Sequence, residues 1–418
     1  MTNPLNRFDR RNFLGLAGGA AVAGLVGGMA FPRRADGAEN LVVPAAQDVR
    51  TFGDPASRTL IVVDMEGGND ALNTFVPATG RYHDLRPTLG LPDDELLTFS
   101  GLEYGVHPSL ADLEPFWDAG QIAAFYGLGL PEQSRSHFVA QDAWRSAQPG
   151  VPATSGWLGR WLEATEPDDE IPLRAISLGR DTLAAQGETG RPVAIQSVDN
   201  YDLVPPGGNT AVIDALVAMG QGTEGGLLGE ARAALPSAVQ SVEQLQGIIS
   251  NVEGDDTEYG PDDSATLFRA AQAIIQADVG TQVLYLTING FDTHSLQLPI
   301  HAQLLETVAV GLRRLFDGLA ETGHADRVLA LGVSEFGRRV AENGSTGTDH
   351  GNGGLGFLIG PAVAESVVHG GADLDDLVQG DLATTIDTRT VYDNALRWLG
   401  GAEDAIEGDW SSLNVLSI

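Results

Sequence analysis

The chain lacks two residue types that carry much of enzyme chemistry, cysteine and lysine. Its 418 residues include no Cys, and all 24 basic residues are Arg. Disulfides, thiolate metal sites and a cysteine nucleophile are therefore excluded, as are a lysine Schiff base and the lysine-dependent phosphate loop. Catalytic chemistry in this chain has to come from carboxylates, imidazoles, hydroxyls and guanidinium groups.

Positive charge is also scarce. The 57 acidic residues outnumber the basic ones and give a formal net charge of −33. The average field of such a chain repels nucleic acid and anionic membranes, so neither is an expected partner. A hydrophobic content of 43% is nevertheless typical of a globular protein, and the acidity is typical of a strongly hydrated surface or a high-salt habitat.

The N-terminus resembles a twin-arginine export signal. Arg10 and Arg11 precede a Gly-, Ala-, Val- and Leu-rich run that extends to about Met29. This run is weaker than the roughly 18 to 20 strongly apolar residues of a stable membrane span, so we expect cleavage, after Ala30 or Ala38, rather than anchoring. The resemblance implies transport by the twin-arginine translocase to the periplasm, the envelope or the medium, with residues 1–38 as signal and 39–58 as linker. An uncleaved anchor is the alternative.

The remaining chain, residues 59–418, is predicted to form one α/β domain. Short apolar runs rich in β-branched residues alternate with longer helical patterns, which is typical of βα units around a buried, mostly parallel sheet. The runs are Thr59 to Val63, Ile122 to Tyr126, Arg174 to Leu178, Val283 to Ile288, Val328 to Val333 and Gly356 to Ile359. The spacing of Leu305, Val308 and Leu312 predicts one helix between the fourth and fifth runs. Residues 150–263 are poorer in strand patterns and are predicted to be a partly helical insertion.

Two polar segments follow the first two strands, where ligands bind in open α/β sheets. Asp64 and Asp70 offer oxygen ligands around two glycines, with a turn and helix cap as the alternative. Ser134 and Ser136 stand before a predicted helix, where a serine either caps the helix or acts as a hydroxyl nucleophile. Arg135 between them would clamp an anion.

Three later segments add acids and imidazoles at the same predicted edge. Asp292 and His294 lie two residues apart, so both side chains can reach one cation from an extended segment. Glu335 and Arg338 follow the fifth strand, and a glycine-rich loop then brings Asp349-His350. The alternatives are a polar turn for the first pair and a surface ion pair for the second. Together they suit one or two divalent cations such as Zn, Mn or Mg in a hydrolytic site.

The order of the motifs along the chain resembles that of a known protein family. The order GGND, SRSHF, FDTH, SEFGR and TDHG, with Gly156-Trp157-Leu158 and the segment from Asp387 to Tyr392, is similar to an exported bacterial family called domain of unknown function 1501. The similarity runs from about residue 59 to the C-terminus. That family is grouped with the alkaline phosphatase and sulfatase superfamily, which implies an α/β/α sandwich with a metal site beyond the strand ends.

The resemblance also implies roles for individual residues. Its early ligand falls on Asp70 or Asp64 and its nucleophile on Ser136 or Ser134. The place of the superfamily's late Asp-His pair, directly after a strand, holds Glu335-Phe336 instead, which departs from the usual two-metal pattern. The remaining implied ligands are Asp292, His294, Glu335, Asp349 and His350.

The sequence therefore supports two hypotheses of different kinds. In the first, the protein is an exported metal-dependent hydrolase of phosphate or sulfate esters, acting on a small anionic ester or a cell-surface polymer. Ser136 attacks the ester, and Arg135 or Arg338 stabilises the developing charge. In the second, a non-catalytic envelope protein of the same fold binds a partner or polymer. A sulfatase proper is less favoured, because its modified Cys or Ser motif is not present.

His107 is predicted to brace a helix start.

Overall fold

The computed structural model describes residues 52–165, 173–179, 183–188, 192–195, 211–220, 227–249, 264–401 and 405–418. The predicted signal, residues 1–38, and most of the predicted linker lie outside these ranges. Across the described segments, every helix is too short or too polar to cross a membrane.

The described residues form a central nine-stranded sheet in the order β12-β4-β11-β8-β1-β7-β5-β6, with β13 also paired to β4. Two small two-stranded sheets, β2 with β3 and β9 with β10, lie outside it. The strands are β1 Thr59–Glu66, β2 Phe75–Pro77, β3 Tyr104–Val106, β4 Ile122–Gly129, β5 Ala175–Leu178, β6 Val193–Ile195, β7 Val283–Asn289, β8 Val328–Val333, β9 Gly337–Arg338, β10 His350–Gly351, β11 Gly354–Ile359, β12 Val367–Gly370 and β13 Ile386–Asp387.

All neighbours in the nine-stranded sheet are parallel except β11, which runs antiparallel to both β4 and β8. The predicted mostly parallel sheet is thus confirmed. The reversed direction of β11 follows from its connection, since residues 334–353 form loops and the small β9–β10 ladder without a crossover helix. The start of β11 consequently lies at the edge where the parallel strands end.

Helices cover both faces of the sheet. The longer ones are α4 His137–Ser146, α5 Trp157–Thr165, α6 Ala211–Gly220, α7 Leu227–Ile249, α8 Ser264–Gln276, α9 Gln297–Glu321 and α10 Thr388–Trp398, and the short ones are α1 Ala71–Thr74, α2 Gly80–Leu85 and α3 Glu114–Asp118. Alternate residues of β1 enter different cores. Ile61 and Val63 pack in the core formed with α8 and α9, whereas Leu60 and Val62 pack in the core formed with α4, α5 and α10. The predicted α/β/α sandwich is therefore present.

The predicted elements correspond to observed ones. Each of the six apolar runs is a strand, and Leu305, Val308 and Leu312 are buried on one face of α9. The predicted insertion, residues 150–263, contains β5 and β6, which are strands of the central sheet beside β7, followed by α6 and α7. Several stretches of that insertion lie outside the described residues.

Candidate metal centre

The loops that follow β1, β7 and β8 meet at one edge of the sheet. Gly67, just after β1, has a φ of 118°, and a Cβ atom there would lie 2.2 Å from the backbone nitrogen of Asp292. Only glycine permits this approach. The loop after β7 is thereby held against the end of β1, and it presents Asp292 and His294 at the edge.

Three side chains from separate elements converge there. His137 begins α4, Asp292 follows β7, and His350 lies in β10. One ligand atom from each lies within 4.8 Å of the other two, so these residues could hold a metal ion. His294 joins them, with its Nε2 atom 3.1 Å from Asp292 Oδ1 and 2.9 Å from His350 Nε2.

The imidazole rings of His137, His294 and His350 are each held through Nδ1 by an oxygen atom. His137 Nδ1 lies 2.9 Å from Glu335 Oε1, and His294 Nδ1 lies 3.2 Å from Asp349 Oδ1. His350 Nδ1 donates to the backbone carbonyl of Arg135 at 2.8 Å. A carbonyl only accepts, so the neutral His350 ring carries its proton on Nδ1 and a lone pair on Nε2. Carboxylate or carbonyl support on the far nitrogen is the arrangement that orients metal-binding histidines.

The free nitrogens face a carboxylate. His350 Nε2 lies 2.9 Å from Asp292 Oδ1, and His137 Nε2 lies 3.4 Å from Asp292 Oδ2. With Nδ1 protonated, each Nε2 atom is a hydrogen-bond acceptor, and it faces an Asp292 oxygen that is also an acceptor. Such an arrangement needs a proton or a cation between the two atoms. Two ligands bound to one zinc ion at about 2.1 Å in tetrahedral geometry lie about 3.4 Å apart, so the observed separations fit a small divalent cation after slight expansion.

Electrostatics keep the carboxylates of this site ionised. Burial raises the pKa of Asp292, but the interactions of its carboxylate with His350 and Arg338 outweigh burial and lower the value to about 2. Burial likewise opposes ionisation of Glu335, yet the hydrogen bond with His137 lowers its pKa. That same hydrogen bond raises the pKa of His137. The negative charge of Asp292 and Glu335 thus favours positive charge on or between the imidazoles.

The two candidate nucleophiles differ in their surroundings. Ser136 is exposed and is the N-cap residue of α4, but its side chain makes no cap hydrogen bond. Ser134 instead accepts a hydrogen bond from the Ser136 N–H at 3.1 Å. Ser136 therefore presents the freer hydroxyl, next to His137 in the chain. Arg135 forms an ion pair with Asp381 and keeps 35% of its side chain exposed.

Arg338 lies beneath the site rather than on its surface. Its side chain is fully buried and donates to the backbone carbonyls of Gly67, Gly68 and Phe291 as well as to Asp292 Oδ1, 2.6 Å away. A group so placed joins the loops after β1 and β7 and orients Asp292. Contact between Arg338 and a substrate, as the sequence predicts, would require these loops to move.

The structure does not bring Asp70 and Asp64 into this group. Both oxygens of Asp70 accept from Arg86, at 2.5 and 2.9 Å, and Asp70 also caps α1. Asp64 is buried in β1 and accepts from Arg145 at 2.9 Å. Burial raises the pKa of Asp64 to about 6, with Arg145 opposing the rise. Two arginines, 16 and 81 residues further along the chain, thus pair with the carboxylates that sequence reasoning assigned to a metal.

Sequence reasoning missed His137. The residue lies in the SRSHF motif, in which a function was predicted for the serines and the arginine but not for the histidine. Its position at the start of a helix that follows a strand end was the available signal. Gln141, one turn later on α4, was also missed, and it donates to Glu335 at 3.2 Å and to Glu66 at 2.9 Å.

His107 accepts from the Ser109 N–H at a 3₁₀-helix start, as predicted.

Fold and site thus define an α/β/α protein with a candidate His–Asp–His metal centre at the carboxyl edge of its sheet. The chain belongs to the family described as "Protein of unknown function (DUF1501)", whose sequence profile matches residues 123–402, more than half of the chain. No curated protein matches it significantly.

Several solved structures resemble the chain at low identity. Ps i-CgsB in complex with k-i-k-neocarrahexaose is 12% identical over 84% of this chain and 74% of its own, with a TM-score of 0.40. The lipoteichoic acid synthase LtaP from Listeria monocytogenes is 8% identical over 83% and 73%, with a TM-score of 0.37. A protein in the alkaline phosphatase superfamily from Vibrio parahaemolyticus is 9% identical over 84% and 68%, with a TM-score of 0.35.

Proposed function

We propose that the protein is an exported, metal-dependent hydrolase of phosphate or sulfate esters. The observation that carries the proposal is the convergence of imidazole Nε2 atoms on the Asp292 carboxylate, each ring fixed through Nδ1 by an oxygen acceptor. Because two or three imidazoles contribute, zinc or manganese is favoured over magnesium, which prefers oxygen ligands. His137, Asp292 and His350 would hold the ion, with His294 as a further donor.

A bound divalent cation would supply Lewis-acid polarisation of the ester and would lower the pKa of a neighbouring hydroxyl. The chain's own groups supply the rest. The exposed Ser136 hydroxyl stands at the N-terminus of α4, where the first-turn N–H groups and the helix dipole favour an anionic ester. Ser136 Oγ attacks phosphorus or sulfur, the Ser136 proton passes to solvent, and the bond to the ester's leaving oxygen breaks, so that this oxygen takes a proton from solvent and departs as the alcohol. Water then attacks the phosphorus or sulfur of the esterified serine, the bond to Ser136 Oγ breaks, and phosphate or sulfate leaves as the serine hydroxyl is restored.

Charge from Arg135 completes the site. One guanidinium NH₂ group pairs with Asp381, and the exposed remainder of the side chain lies on the segment that carries Ser136. Arg135 therefore offers N–H donors to the non-bridging oxygens of an ester bound at Ser136. Arg135 also places His350 through its backbone carbonyl, so one segment links the nucleophile to the metal centre.

Metal content and hydrolysis test the proposal together. We expect the purified protein to hold about one divalent cation per chain and to cleave 4-nitrophenyl phosphate or 4-nitrophenyl sulfate. His350→Ala should lose both metal and activity. His324→Ala is the matched control, because His324 precedes the amino end of β8, opposite the candidate site, and bonds to Thr322.

The serines are distinguished by a second pair of variants. Ser136→Ala should abolish hydrolysis while metal content stays unchanged, and Ser134→Ala should retain activity. Loss of activity only in Ser134→Ala would reassign the nucleophile. A protein that holds its metal yet cleaves neither ester would instead favour a non-catalytic protein that binds a polymer at the cell surface.

A further inference from the structure

A groove of about 940 Å³ opens beside the candidate metal centre. We call it the C-terminal groove, because residues 378–387 and 410–413 form most of its walls, together with residues 129–133 after β4. Its size is within the range of sites that hold small organic ligands. None of its wall segments is needed to hold the metal.

Two lining residues connect the groove to the metal centre. Gln133 precedes Ser134, and its side chain donates to the backbone carbonyl of Glu335 at 2.9 Å. Asn352 lies two residues after His350 and also lines the groove. A molecule in the C-terminal groove therefore ends next to the segments that carry Ser136 and His350.

The groove offers one aromatic surface and several unused polar groups. Trp410 lies half-buried in its wall, with the guanidinium of Arg389 5.5 Å from the indole ring. The Asn352 Oδ1 atom is buried and has no hydrogen-bond partner among the described residues. Thr384 and Ser411 are exposed, and within the described part of the chain their hydroxyls make no hydrogen bond. An indole face next to hydroxyl and amide groups matches a sugar ring, which presents a C–H face and a rim of hydroxyl groups.

Charge narrows the ligand class further. Among the described residues that line the groove, the ionisable side chains are Glu132 and Asp387, and neither Arg nor His is present. Asp387 is paired with Arg389 at 2.6 Å. A polyanionic chain would find no positively charged side chain among these lining residues to balance its charge. A neutral polyhydroxylated chain carries no charge and needs no such partner. The positive charge lies instead on Arg135 and at the metal centre.

We propose that the C-terminal groove binds neutral sugar units of a glycan whose phosphate or sulfate ester lies at the metal centre. The ester part of this inference rests on the proposed hydrolase function. The sugar part rests on the groove alone, and the two parts are therefore tested separately.

Saturation-transfer NMR with cellohexaose, chitohexaose and maltohexaose tests sugar binding directly. We expect at least one of these neutral oligosaccharides to bind the wild type, equally well with and without a chelator, since the groove contains no ligand of the metal. Trp410→Ala should weaken that binding about tenfold or more, and Trp410→Phe should retain most of it. Thr384→Tyr, at an exposed position of the wall, should block the groove without disturbing the core.

The outcomes separate this inference from the proposed function. Absence of binding by all three sugars, equal binding by Trp410→Ala and the wild type, or binding that chelation abolishes would each overturn it. Chelator-resistant sugar binding in a protein that hydrolyses no ester would uphold the groove and reject the hydrolase.

Discussion

Glu335 allows the role of positioning groups to be measured. Its side chain is fully buried, accepts from the Gly67 N–H at 3.1 and 3.0 Å, and holds His137 Nδ1 at 2.9 Å. Glu335→Gln keeps the size of the side chain but replaces one acceptor oxygen by an NH₂ donor and removes the charge. The oxygen at the Oε1 position can still face Gly67 and His137, but the NH₂ group at the Oε2 position then lies against the Gly67 N–H donor, and His137 loses the negative charge of its partner.

The expected magnitude follows from the burial of this contact. Loss of a carboxylate that supports a metal-binding histidine costs about 10- to 100-fold in metal affinity, which equals about 1.4 to 2.7 kcal/mol. Asp349→Asn makes the corresponding change in the support of His294, but the Asp349 side chain is 60% exposed. A solvent-screened pair contributes at most about 1 kcal/mol, so we expect a loss of about fivefold or less.

Competition with a chromogenic chelator, performed with Zn²⁺ and Mn²⁺ on the wild type and both variants, measures these affinities. Urea unfolding of each variant checks that it is folded during the titration. The reasoning is refuted if Glu335→Gln binds as tightly as the wild type, or if Asp349→Asn is the weaker binder of the two. A loss beyond about 1,000-fold, well above the range for a supporting group, would make Glu335 a direct ligand, as the sequence predicts.

Three further predictions address stability and export. Asp70→Asn should cost about 3 to 5 kcal/mol in urea unfolding, because it leaves Arg86 buried without its partner, and metal content should stay unchanged. Burial holds the pKa of His107 at about 3 against 6.5, so only the unfolded chain gains this proton between those values and stability falls as pH falls. From pH 7 to pH 5 this loss is about 2 kcal/mol, and His107→Asn, which retains a capping side chain, should remove it. Replacing Arg10 and Arg11 with Lys should leave the precursor in the cytoplasm of an expressing cell, and undiminished export would contradict the twin-arginine signal.

The strands could be predicted because their interiors are buried on both faces. Near-continuous apolar runs such as Val283 to Ile288 are typical of strands covered by helices on both sides. The direction of β11 was not predicted, although the information was present. The segment between Val333 and Gly354 is rich in Gly and polar residues and contains no helical pattern, so no crossover connection was available and the strand had to return antiparallel.

The location of the site was also predictable, because the carboxyl ends of parallel strands meet at one edge. Asp292, His294, Glu335 and His350 were expected there, and the structure brings them together. The same reasoning placed Asp64 and Asp70 there, since both follow or end the first strand. Their burial beside Arg145 and Arg86 could not be predicted, because those contacts span 81 and 16 residues and depend on how helices pack.

The division between ligands and supporting groups is the step that only side-chain orientation can decide. An acid and an imidazole at one strand tip have the same sequence pattern whether the acid binds a cation or orients the ring. In the proposed metal centre, Asp292 faces Nε2 atoms and would be a ligand, while Glu335 and Asp349 face Nδ1 atoms and would be supports. The residues of the candidate centre come from at least three loops at strand ends, which explains why no single motif in the chain contains all of them.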